Sequence, residues 1–229
     1  MEHPYLFMTS LFEMFGMGEW AAAHPHVTYM WLAMIILIIL GWLGGKSISM
    51  VPNSIQNVFE VVISGLEEFM VSITGEEGRK SFPLLLTIFL FVLLGNLFGL
   101  IPAFYPPTAQ INTTVALAII AVSWSHVIGI KMHGIKYIKH FLGPVWWLSP
   151  LIMPIEIIGH LARILSLSIR LFGNIMGEDI VLAILLLLAG GFFAPLPMMF
   201  LAIFTSFVQA FIFALLSIMY FAGAMEEAH

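Results

Sequence analysis

The 229-residue sequence contains no cysteine, which excludes disulfides and thiolate metal sites. It is also poor in charge. Only 9% of residues are Asp, Glu, Lys or Arg, where soluble domains carry about 25%. The N-terminus lacks a basic stretch leading into an apolar core, so no cleaved signal peptide is expected. No internal repeat or low-complexity tract is evident, and a single domain is expected over 1–229. What replaces the missing charge is apolar: 61% of residues are hydrophobic, too many for a larger soluble core to absorb. The chain therefore reads as an all-α, multispanning membrane protein.

Residues 27–45, 81–101 and 112–130 are each long enough for one crossing at about 20 residues per span. Between the first two, 53–75 is amphipathic. Ile55, Val58, Phe59, Val62, Leu66, Phe69, Met70 and Ile73 recur at helical spacing, with Gln56, Glu60, Glu67 and Glu68 largely off that face. Such a helix fits the membrane surface better than a crossing; a packed helix of a small soluble subdomain is the competing reading. The eight basic residues set the orientation. Lys46, Arg79 and Lys80 flank the surface helix, while Lys131, Lys136 and Lys139 follow the third span. The positive-inside rule makes 46–80 and 131–140 cytoplasmic and puts the N-terminus and the 102–111 turn outside. The segments 146–188 and 192–224 exceed one bilayer crossing, so each is either steeply tilted or broken in two.

Arg163 and Arg170 fall inside the first of these overlong segments. At 100° per residue, Glu156, His160, Arg163, Arg170, Asn174 and Glu178 form one polar stripe. Beside it run Gly159, Ala162, Ser166, Gly173 and Gly177, small residues that admit a close neighbour. Asp179, nine residues from Arg170, points to the opposite side. An arginine stays protonated, so Arg170 cannot relay protons, but it can hold a neighbouring carboxylate ionised. A guanidinium within lipid is expensive enough to imply a function. Arg163 fits a structural pairing with Glu156, and His160 a hydrogen-bonded interior histidine, as readily as ion transport. Gln209, across the hairpin, is positioned to bond either Arg170 or a backbone carbonyl. His24 and His26 resemble a metal pair only in spacing. A mid-membrane charged site also suits a secondary transporter or an ion-channel subunit, but inverted-repeat halves and a symmetric pore motif are not found.

The motif "SLSIRLFGN" with an acid nine beyond its arginine, "VQAFIFALLSIMY" near the C-terminus, and "GNLFGLIP" resemble subunit a of the F-type ATP synthase. The resemblance covers roughly 27–229 and is strongest over 156–221. It implies a proton-translocating stator beside a ring of c subunits, contacting b-type peripheral-stalk subunits, in the bacterial inner (plasma) membrane. It implies two aqueous half-channels and an essential arginine, matched by Arg170, that keeps each passing ring carboxyl ionised. The family pattern puts Asp179 in the outer half-channel and Gln209 beside the arginine. Asn174, Ser166 and Glu156 match positions tied to ion access, Glu156 on the cytoplasmic side. A histidine or acid found in some members seven residues before the glutamine is Ala202 here. The outer path then relies either on Asp179 with water or on His126 from the third span, and Glu178 is expected to serve the channel or tune Asp179. No cofactor, metal or nucleic acid is implied, and no chemistry by this chain alone, since the ATP sites belong to other subunits.

Overall fold

The computed structural model describes residues 6–46, 54–101, 103–134, 137, 149–189 and 195–226. Among these the chain is all helix, with no strand. Two short helices, α1 (Phe7–Glu13) and α2 (Gly18–Ala23), precede α3 (Pro25–Lys46), α4 (Ser54–Gly78), α5 (Phe82–Leu97), α6 (Ile111–His133), α7 (Ser149–Ala189) and α8 (Pro195–Met225). Short 3₁₀ turns cover Arg79–Ser81, Phe98–Leu100 and Pro107–Ala109. Five stretches are long and apolar enough to cross a bilayer: Pro25–Gly45, Phe59–Leu100, Ile111–His133, Pro150–Leu188 and Leu196–Met225. The overlong segments are each one continuous helix, α7 of 41 residues and α8 of 31. Residues 146–148 and 192–194, expected at their starts, lie outside the described residues, as do Lys136 and Lys139.

Proline and glycine set the boundaries. Pro83 lies in the first turn of α5, where its missing N–H costs no helical bond, and Pro107 opens the turn before α6. Gly134, at φ +57°, ends α6 in a conformation that penalises any Cβ. Gly75, at φ +69°, kinks α4 near its end. That kink turns the chain back so that Arg79 reaches Glu67 at 2.9 Å and Glu76 at 3.0 Å. Pro154 stays inside α7, as prolines can in spanning helices whose neighbours resatisfy the backbone.

The main core joins α4, α5, α6, α7 and α8. Met70, Leu85, Val92, Leu167, Leu171, Phe213, Ile218 and Phe221 are buried within it. The apolar face of α4 is thus partly packed on protein, with Phe69 against Phe211 at 5.6 Å between ring centroids. A second cluster ties α1 and α3 to the turn after α5. There the buried Tyr29 donates to the Ala103 carbonyl at 2.8 Å and packs against Phe98 and Phe104. Gly95 permits the close seating of the 107–108 turn on α5, since a Cβ there would stand 3.3 Å from Thr108 and 3.4 Å from Pro107. Gly95→Val is therefore expected to destabilise the chain by about 1–3 kcal/mol through overpacking, read as a lower unfolding midpoint in detergent.

α7 is the exception to this packing. Only 11% of its spanning window is buried, against 50% for α6 and 33% for α8. One side of α7 meets α6 and α8; the other carries Ile155, Ile158, Leu161, Leu165, Ile169 and Met176, all exposed among the described residues.

Candidate functional site: a polar track along the long hairpin

Arg170 sits in the middle of α7, half-buried. Among the described residues it makes no hydrogen bond and no ion pair. Its neighbours on the open side are small. Ala162, Ser166 and Gly173 are exposed, and a Cβ built on Gly159, Gly173 or Gly177 meets nothing within 4 Å. A spanning helix thus presents a guanidinium and an adjoining shallow groove that the described residues leave open.

Gln209 is buried on α8, but its Oε1 accepts from Asn174 Nδ2 at 2.7 Å rather than from Arg170. This settles the choice left open by the sequence in favour of neither expected partner. One turn beyond Arg170, the Asn174 amide faces α8 and satisfies Gln209, so the hairpin is held side chain to side chain. A second clasp lies one turn further, where the Thr205 hydroxyl donates to Glu178 Oε1. Glu178 is therefore fixed by α8.

Asp179 turns towards α5. Its Oδ1 lies 3.5 Å from the position a Cβ would take on Gly99. Burial, and after it the Asp179 charge, push the Tyr105 hydroxyl above its ordinary value, so the aspartate also acts on the 101–110 turn. Asp179, Glu178, Asn96 and Ser206 share a small cavity between α5, α7 and α8, with room for about one water. Asn96 is 2% exposed; its Nδ2 donates to the Ser206 carbonyl at 3.5 Å, and its Oδ1 is buried without a protein partner. A buried acceptor with no partner is costly, so Asn96 is a polar group whose place beside this cavity calls for an explanation. Sequence reasoning did not assign Asn96. Its signal was an amide deep in an otherwise apolar span. Ala202 also lines this cavity and offers it only a methyl.

A separate polar group forms near the other end of α7. His160 Nε2 lies 3.4 Å from Glu156 Oε1, and the His160 ring meets that of His126 at 4.5 Å between centroids. His126 Nδ1 is 2.9 Å from the Tyr137 hydroxyl. His126 is thus not beside Asp179. It joins His160, which is 19 residues or about 28 Å along α7 from Asp179. The cause is the pairing of α6 with α7: His126 lies seven residues before the end of α6, level with His160 in the first half of α7. Glu156 bonds His160, and Arg163 instead lies over the Tyr220 ring of α8 at 5.4 Å. Burial, then the Glu156 charge, push the Tyr137 hydroxyl above its ordinary value, with Arg163 opposing. Among the described residues no cluster of three or more His, Asp or Glu could hold a metal ion.

The family model of the ATP synthase A chain matches residues 27–222 of this sequence. The chain belongs to the ATP synthase A chain family. Similarity to curated relatives extends from end to end. The chain is 63% identical to ATP synthase subunit a of Desulfosudis oleivorans over 229 residues and 60% identical to that of Syntrophobacter fumaroxidans over 240, covering 100% of both chains in each case. It is 48% identical to ATP synthase subunit a of Geobacter sulfurreducens over 232 residues, again with full coverage. Membership in the ATP synthase A chain family makes this multi-pass protein a membrane-sector subunit of the synthase.

Proposed function

We propose that this chain is the proton-translocating stator of a rotary ATP synthase in the bacterial plasma membrane, with Arg170 facing a ring of rotor carboxyls. The observation that carries the reading is the half-buried guanidinium, without a partner among the described residues, beside a groove of small residues that those residues leave open. A lone charge within the bilayer is costly and rarely left without a counter-ion. A passing carboxylate from another chain would supply one, and the groove would let the helix bearing it come close.

On this reading the cavity of Asp179, Glu178, Asn96 and Ser206 belongs to the outer half-channel. The Glu156–His160–His126 group belongs to the cytoplasmic one, with Ser166 exposed between that group and Arg170. The two polar groups flank Arg170 at roughly 13 and 15 Å along α7, which keeps them from joining except through the rotor. The Asn174–Gln209 and Glu178–Thr205 clasps hold the hairpin in register while the rotor slides past. The N-terminus lies outside, the basic loops lie in the cytoplasm, and α4 offers its charged face to the peripheral-stalk b-type subunits.

The absence of native cysteine makes the test direct. Single cysteines placed at 166, 173 and 177 in the intact synthase should crosslink to a cysteine on the outer helix of the rotor ring. Cysteines at 167 and 171, which face the core, should not. Crosslinking from the core positions, with none from the groove, would overturn the assignment of the rotor-facing side.

A further inference from the structure

Tyr137 stands just past the end of α6 and is 8% exposed. Its ring folds back onto Gly129, where any Cβ would overlap it, and meets the His126 ring at 6.1 Å and 64°. Gly129 and His126 are three residues apart on α6 and so share a face. The glycine is therefore the space that allows the phenol to reach the histidine.

The His126 ring is held on two sides, by the Tyr137 hydroxyl at 2.9 Å and by the His160 ring at 4.5 Å, with Glu156 behind His160. A phenol hydroxyl can donate to a bare Nδ1 and accept from a protonated one. The bond to His126, and the placement it enforces, can then survive a change of charge on the ring.

We propose that Tyr137 is a positioning residue: its hydroxyl, seated over Gly129, holds the His126 imidazole against His160 and completes a proton-exchanging chain Glu156–His160–His126 at the cytoplasmic end of α6 and α7. The proposal rests on the proton-path reading above and names a residue that supports it. The charges that face the imidazole and the phenol are Glu156 and Arg163 of α7, the latter lying over Tyr220 of α8. On α6 itself, Lys131 lies over Trp124 at 5.6 Å.

The test uses the whole synthase in sealed vesicles. Tyr137→Phe keeps the ring on Gly129 and removes only the hydroxyl. ATP-driven proton pumping is expected to fall about fivefold, the size of one lost neutral hydrogen bond at a reacting group, with a shifted pH profile and normal complex recovery. Combining Tyr137→Phe with His126→Gln should be no worse than His126→Gln alone, because the two act as a unit. Gly129→Ala, which displaces the ring without removing any polar group, should reproduce the shifted profile.

Unchanged flux and pH profile in Tyr137→Phe, or full additivity with His126→Gln, would overturn the proposal. Arg170→Ala separates this failure from that of the underlying reading. If Arg170→Ala abolishes coupling while Tyr137→Phe is silent, only the role of Tyr137 falls; if Arg170→Ala is silent, the stator reading falls with it.

Discussion

Replacing Arg170 by alanine is expected to abolish proton-driven ATP synthesis while leaving ATP hydrolysis by the detached catalytic sector intact. A unit positive charge about 4 Å from a carboxylate, at an effective dielectric near 20, favours the ionised carboxylate by about 4 kcal/mol. That is roughly a thousandfold in population. Without it the rotor acid has no reason to surrender its proton on passing the stator, and flux no longer obliges rotation. The loss is not expected to come from misfolding. Arg170 has no hydrogen-bond or ion-pair partner among the described residues, so truncation strands no group of this chain. Removing a mid-bilayer arginine relieves an insertion cost of about 2.5–3.5 kcal/mol. The complex should therefore be recovered at normal yield and fail only in coupling. Normal synthesis by the alanine variant, measured in vesicles with an imposed proton gradient, would refute the stator assignment.

The second large effect is expected from Gly173→Leu, and it separates the chain from its assembly. Nothing within 4 Å awaits a Cβ at Gly173, and glycine is a poor interior helix residue. Within this chain alone the substitution should be neutral or stabilising, by up to about 1 kcal/mol. In the synthase the added isobutyl group would stand in the groove beside Arg170, where a close helix needs room. Overpacking at such a contact costs about 1–3 kcal/mol, which converts to roughly 5- to 150-fold in association. The expected result is an unchanged or raised unfolding midpoint for the purified chain together with loss of the rotor ring during purification and of coupled synthesis. Full retention of ring and synthesis would show that no partner occupies the groove. The contrast with Gly95 is informative. That glycine is filled from within the chain, and its replacement should harm the chain itself.

Much of this was legible in the amino-acid sequence. Composition alone made the protein a membrane protein, because apolar content on this scale has no other place to be buried. Helical periodicity placed Arg170 beside Gly173 and Gly177 and opposite Asp179, since residues on one helix share a face by a fixed angle. The price of a charge in hydrocarbon made Arg170 the leading candidate for a functional residue without reference to any neighbour.

Which side chains meet across helices was decided only by the tertiary structure. Gln209 was expected at the arginine and bonds Asn174 instead; His126, one of two candidates for the outer path, joins His160; Asn96 was passed over and lines the Asp179 cavity. Periodicity fixes angles within one helix but says nothing of its rotation and depth relative to the next. Those are settled by non-local packing, here the seating of α6 on α7 and of α5 on α8. Among the described residues the same packing leaves one side of α7 uncovered, a fact that no run of residues could have disclosed.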